Sequence, residues 1–183
     1  MRDRLARITT RGGDHGESGL ADGSRHPKTA PVFTALGDID ELNCALGIVV
    51  SGLAADHDLR GFLIVIQSRL FDLGGAVATP RTSLSLAPDT LELEALVARY
   101  TKQLGPLANF ILPGGTVAGA QMHLARAVCR RAERSLWNLI TTNSNDYDES
   151  LVIYLNRLSD ALFVFARLLN TSTPELLWQQ KLR

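Results

Sequence analysis

Read for the spacing of its apolar positions, the chain falls into five segments of helical period. Leu42, Ala45, Leu46, Val49 and Leu53 recur at three- and four-residue steps and predict a helix over residues 32–53. Phe62, Ile66, Leu70, Leu73 and Val77 predict a second over 59–77, with Asp56 or Asp58 as its cap. Leu93, Leu96, Val97 and Tyr100 predict a third over 90–104, opened by Pro88 and Asp89. Pro113, Gly114 and Gly115 break the chain, and Thr116 is placed to cap a fourth over 116–142. Its stripe is Met122, Ala125, Cys129, Ala132, Leu136 and Leu139. Leu151, Leu155, Leu158, Leu162, Phe165, Ala166 and Leu169 predict a fifth over 148–170; Pro174 stops it and Trp178 anchors the tail. No segment alternates with the period of a strand. The expected fold class is all-α, an up-and-down five-helix bundle over 32–183 preceded by an arm over 1–31.

The polar positions add a second pattern. At ~100° per residue, His123, Arg126, Arg130, Glu133 and Trp137 share a sector of about 80° beside the core stripe of the fourth helix. Guanidinium groups held at a core edge cost desolvation unless an anion meets them. Two readings stand: a solvated face with internal ion pairs, or an anion site with an acidic residue to orient its arginines. On the fifth helix Asn156, Asp160, Phe163 and Arg167 lie nearly opposite the core stripe. That stripe reads as a solvated back face or as a contact with something beyond the core. Asp38, Asp40 and Glu41 suit the positive end of the first helix. Asp40 points away from the core and is free to meet an arginine of another subunit. The short apolar run at Phe110 reads on spacing alone as core packing.

The arm changes the picture next. Residues 11–31 are rich in glycine, serine and aspartate and have no periodic apolar face, so they read as a long ordered loop or a disordered arm. Loops of this length in a compact domain are usually functional or mobile. Glycines let successive N–H groups converge into a nest for phosphate oxygens, and Thr10, Ser18 and Lys28 add donors. The segment is not a Walker A loop, because no Gly-Lys-Ser/Thr follows a buried strand.

Charge and composition narrow the partners. Lys+Arg and Asp+Glu are equal at 19 each, so no basic field argues for nucleic acid, although a local cluster can still hold a small anion. Cys44 and Cys129 both fall in helical patterns and read as buried, reduced thiols of a cytoplasmic protein. The first 16 residues are arginine-rich without an apolar run, unlike a signal peptide. No stretch approaches the ~18 apolar residues of a membrane span.

Three blocks then read together. The first is Thr-Arg-Gly-Gly-Asp-His-Gly-Glu-Ser-Gly-Leu (residues 10–20), running through Pro27 and Lys28 to Leu-Gly-Asp-Ile-Asp-Glu-Leu-Asn (36–43). The second is Phe-Ile-Leu-Pro-Gly-Gly-Thr (110–116), leading into 123–134. The third is Tyr-Leu-Asn-Arg-Leu-Ser-Asp (154–160). In order and spacing they resemble the PduO-type ATP:cob(I)alamin adenosyltransferases. The resemblance implies a homotrimer with its site between subunits, and an arm that orders on binding. It implies ATP held by Thr10, Arg11, Gly12, Gly13, Asp14, Gly16, Ser18, Gly19 and Lys28. Arg130, Arg131, Glu133, Arg134 and Asn156 would complete that site, with Mg²⁺ bound mainly through ATP. Arg126 and Asp40 resemble the family's salt bridge across the subunit interface, and Phe110 the aromatic that displaces the lower axial base of cobalamin.

The reaction so implied moves the 5′-deoxyadenosyl group of ATP to cobalt and releases triphosphate. Arg130, Phe110, Asp40 and Arg126 would carry it. Cobalt is itself the nucleophile, which fits a chain without a convincing catalytic triad. A reductase and an adenosylcobalamin-dependent enzyme are implied partners. The alternatives are a non-catalytic ATP/corrinoid delivery module and a purely structural bundle.

Overall fold

The computed structural model describes residues 9, 11–107, 109–143 and 146–179. Five helices are present: α1 (Pro31–Gly52), α2 (Asp58–Val77), α3 (Ala87–Leu104), α4 (Val117–Thr142) and α5 (Ser150–Leu169). Ahead of them two three-residue strands, β1 (Glu17–Gly19) and β2 (Arg25–Pro27), pair antiparallel. That hairpin corrects the expectation of an arm without strands. Pieces so short have no apolar alternation to betray them; they are held by pairing and turn chemistry. Asp22 accepts from the backbone N–H and hydroxyl of Ser24, at 2.8 and 2.6 Å, and Gly23 takes φ +86°.

α4 packs on α1 and α5, α2 lies against α1, and α3 against α5. The Arg69–Asp89 ion pair, 2.5 Å, brings α2 and α3 together and rounds the bundle. Contacts fix the directions. Asn43 and Gln67 exchange side-chain to backbone hydrogen bonds, while Arg60 reaches the carbonyl of Val50, so α1 and α2 are antiparallel. Glu94 meets Arg157 and Tyr100 meets Phe165, so α3 and α5 run parallel. The chain therefore leaves α3 and enters α4 by passing over the C-terminal end of α5. Arg167 of α5 and Asn170, which caps that helix, hold the crossing: Arg167 donates to the carbonyls of Leu104 and Gly105, and Asn170 to that of Gly114.

The predicted stripe of α4 is buried throughout; in α3 Leu93 and Tyr100 are buried with Leu96 and Val97 half-buried, and in α5 the stripe is buried except for half-buried Leu169. In α2, Phe62 is exposed, and the buried row is Leu59, Leu63, Ile66, Leu70, Leu73 and Val77. Phe62 sits at the margin of the same sector, so period alone does not separate it from Leu63. His57, not Asp56 or Asp58, caps α2; its Nδ1 accepts from the backbone N–H of Leu59 at 3.1 Å. Thr116 caps α4 as expected, accepting from the N–H of Gly119 at 3.0 Å. Cys129 is buried but Cys44 is exposed, which corrects the pairing of the two as core thiols. Among the described residues no helix is long and apolar enough to cross a membrane.

Candidate active site

The arginines of α4 divide between two neighbours. Arg131 turns toward α1, where it donates to Asp38 at 2.9 Å and forms an ion pair with Glu41; Ser135 also donates to Asp38. For Arg131 the internal ion-pair reading therefore holds. Arg126 and Arg130 turn instead toward α5 and α3. With Thr101, Asp160, Phe163 and Arg167 they line a groove of about 360 Å³. Among the described residues Arg130 is exposed and has no ion pair within the chain. The Nε of Arg126 is buried without a hydrogen-bond partner. Burying a charged donor in that state is costly unless an anion meets it, and none does so at this nitrogen among the described residues.

Glu133 lies one step along the same edge. Its Oε1 accepts from the side-chain amide of Asn156 at 2.9 Å, joining α4 to α5. Arg134 is exposed and donates to the carbonyl of Arg130. Arg131 and Arg134 also line a smaller groove, about 300 Å³, with Thr29, Pro31, Thr34, Ser135 and Asn138. There the end of the arm meets the cationic face of α4.

Within the arm, the segment 11–16 folds into tight turns. Arg11 takes φ +58° and Gly16 φ +81°, the N–H of Asp14 donates to the carbonyl of Arg11, and Gly16 donates to Gly13. Lys28 returns across this loop: its N–H donates to the carbonyl of Gly16 at 2.8 Å, and a Cβ on Gly13 would come 3.0 Å from its Nζ. Arg25 adds a 2.7 Å bond to the carbonyl of Gly12. Ser18 and Gly19 lie on β1, Ser18 opposite His26. A glycine turn under an ammonium group is suited to phosphate oxygens. Thr10 lies outside the described residues.

The crossing over the end of α5 carries Phe110. Its side chain is 77% exposed, so the core-packing reading is overturned. It borders a cavity of about 600 Å³ with Leu107, Asn109, Ile111, Arg126 and Phe163. Arg126 lines both this cavity and the groove of Arg130, which makes them adjoining spaces. Asp40 is exposed on α1 and, among the described residues, pairs with no cation of its own chain.

Two polar residues lie deeper than their helix faces alone show, and for Arg167 the contact reading holds over the solvated one. Arg167 does not face solvent: its side chain is 7% exposed and bonded to Glu175 at 2.7 Å. The tail that supplies Glu175 carried no periodic signal. His123 is 4% exposed, meets the edge of Phe163, and has both ring nitrogens buried without partners. Burial and then the charge of Arg126 lower its pKa, against the opposing pull of Glu175. The Cys129 thiol is pushed well up by burial, which leaves it inert as a nucleophile.

A family model described as cobalamin adenosyltransferase matches residues 8–169. A cobalamin adenosyltransferase of Cupriavidus metallidurans is 45% identical over 183 residues, covering 99% of this chain and 98% of that protein. A corrinoid adenosyltransferase of Mycobacterium leprae is 37% identical, covering 98% of each chain. A PduO-type ATP:corrinoid adenosyltransferase from Lactobacillus reuteri superimposes with a TM-score of 0.87 at 32% identity, covering 94% of this chain and 97% of that one. That structure is of a variant with a phenylalanine replaced by histidine, complexed with cobalamin and ATP.

Proposed function

The chain belongs to the PduO-type cobalamin adenosyltransferase family, and from that premise we propose that it transfers the 5′-deoxyadenosyl group of ATP to the cobalt of cob(I)alamin. The products are adenosylcobalamin and triphosphate. The observation that carries this reading is the exposed Phe110 on the rim of a cavity that runs on to Arg126 and Arg130, two cations with no ion pair among the described residues. An apolar wedge and an anion site stand side by side, as the joining of a corrinoid to a polyphosphate requires.

In the chemical step the cobalt lone pair forms a bond to C5′ while the C5′–O bond breaks, and the electron pair leaves on triphosphate. No proton moves at the reacting carbon. The protein aligns the two substrates and stabilises charge on the leaving group. Arg130 and Arg134 supply cations, and the amides of Gly12, Gly13 and Gly19 with Ser18 and Lys28 supply an oxyanion cradle, shaped by the turn that Gly16 closes onto Gly13. Arg11 and Asp14 flank it, and Thr10 belongs to the same proposal by its place in the sequence. Arg131, held by Asp38 and Glu41, supports that face from behind. Asn156 fixes Glu133 toward the nucleotide.

Mg²⁺ fits as a companion of the nucleotide. Among the described residues no three His, Cys, Asp or Glu side chains gather to cage an ion, and phosphate oxygens provide the hard ligands it needs. When bound it would neutralise part of the triphosphate charge. Phe110 keeps the lower face of the corrinoid dry and takes the space of its axial base, which makes the cobalt easier to reduce.

The site would be completed in a homotrimer, where Asp40 of the partner subunit reaches Arg126. Two facts support this: the buried, unpartnered Nε of Arg126, and an exposed Asp40 unpaired within the described chain. The arm would settle fully on its glycine turn when nucleotide arrives. A cytoplasmic setting, a reductase and an adenosylcobalamin-dependent acceptor enzyme belong to the same proposal; the two free cysteines are in keeping with a reducing compartment.

The test is to mix protein, Mg-ATP and chemically reduced cobalamin and follow the corrinoid spectrum. Conversion to adenosylcobalamin with release of triphosphate supports the reading. Tight binding of both substrates without conversion would mark a delivery module instead.

A further inference from the structure

Phe110 is a large ring on a loop, and most of it projects into solvent. A wedge is useful only if its depth and orientation are set beforehand. The restraint comes from the C-terminal tail. The backbone N–H of Trp178 donates to the carbonyl of Phe110 at 2.7 Å, and the side-chain amide of Asn109 donates to the carbonyl of Trp178 at 2.7 Å. One step along, Leu112 donates to the carbonyl of Leu176 at 2.8 Å, and Ile111 bridges Leu177. Asn109 Oδ1 takes the N–H of Phe110 itself at 2.8 Å. The tail is tied down in turn by Glu175, bonded to the buried Arg167. Across this short ladder the Trp178 and Phe110 rings meet edge to face, with centroids 6.2 Å apart and planes at 66°. Among the described residues this is the ring contact that Phe110 makes.

We infer that Trp178 is a positioning residue for the Phe110 wedge: it sets that ring's orientation toward the corrinoid cavity while touching neither substrate's reacting atoms. This rests on the function proposed above. A purely structural role fits poorly, because Trp178 is 41% exposed and lies outside the bundle core, so its ring secures little of the fold. An edge-to-face aromatic pair biases the orientation of its partner by a factor of roughly 2 to 13. That factor is the size of the effect expected.

The experiment uses the full chain and its Trp178→Ala, Trp178→Leu and Trp178→Phe variants. Three quantities are read with Mg-ATP saturating: the fraction of cob(II)alamin whose lower axial base is displaced, from its visible and paramagnetic-resonance spectra; kcat; and the ATP dissociation constant. Trp178→Ala should lower the displaced fraction and kcat together by roughly 2- to 13-fold and leave ATP affinity unchanged. Trp178→Leu keeps apolar bulk without a ring edge, and should behave as the alanine variant does even if that one folds poorly. Trp178→Phe restores the edge contact and should recover most of both. Wild-type spectra and kcat in the alanine and leucine variants would overturn the inference, and so would a loss in Trp178→Phe equal to theirs. Should the wild-type chain itself neither displace the base nor turn over, the proposed function fails, and that result is distinct from either.

Discussion

Gly119→Ala should destabilise the protein although alanine is the better helix former. Gly119 lies in the first turn of α4, and a Cβ added there would come closer than 3.0 Å to the side chain of Asn170. Asn170 is 5% exposed and cannot swing into solvent without breaking what it holds. It accepts from the N–H of Thr116 at 2.9 Å and the hydroxyl of Thr116 at 3.0 Å, and donates to the carbonyl of Gly114 at 2.8 Å. At about 1 kcal/mol net per hydrogen bond, displacing it costs about 3 kcal/mol. The gain from replacing glycine in a helix is at most about 1 kcal/mol. The net loss is about 2 kcal/mol, which for a chain of this size lowers Tm by roughly 4–8 °C. Differential scanning calorimetry measures it. Gly61→Ala is the control: it is exposed within α2 and a Cβ there meets nothing within 4 Å, so Tm should rise by roughly 2–4 °C. If Gly119→Ala melts at or above the wild-type temperature, propensity has outweighed the clash and the account of Asn170 is wrong.

Four further outcomes follow from the proposed site. Phe110→Ala should keep ATP affinity and lose most turnover; normal turnover removes the wedge from the mechanism. Arg130→Ala should weaken ATP binding and slow the reaction, both by about tenfold or more if a charge-assisted contact of about 1.5–3 kcal/mol is lost; wild-type kinetics would reject its role at the triphosphate. Asp40→Asn should impair cobalamin affinity and turnover while sedimentation still finds a trimer. The pKa of His123 is lowered in the folded state, so the unfolded chain binds the extra proton first as pH falls. Stability from this residue is complete above the unfolded value of ~6.5 and lost progressively below it, down to the folded value. Between pH ~7 and 5, His123→Gln should show a shallower fall in Tm than wild type; equal slopes would mean that His123 is not the group responsible.

The helices were legible because burying one face of a bundle requires a three-to-four spacing, and Met122 to Leu139 or Leu151 to Leu169 meet it with little ambiguity. The same logic misjudged Phe62, which shares a sector margin with buried Leu63. It left Arg167 open between solvent and a further contact, because its burial depends on Glu175 from the tail and on carbonyls of the crossing segment. Those partners are remote or irregular, and periodicity carries no record of them. The α4 arginines were visible as a group, but their separation into Arg131 facing α1 and Arg126 with Arg130 facing α5 depends on packing. The aromatic contact of Phe110 was invisible for a further reason: Trp178 lies in a tail with no repeating pattern at all.

The crossing that bears Phe110 rests on the end of the last helix and is stitched to the residues that follow it. During synthesis the bundle's other contacts can form as soon as their helices emerge, but this corner waits for residues 175–178 to leave the ribosome. A chain cut short near Pro174 would leave the Phe110 ring untethered and the buried Arg167 without Glu175, so it would lose stability as well. The ring of Phe110 is thus fixed only after all five helices of the described bundle have been made.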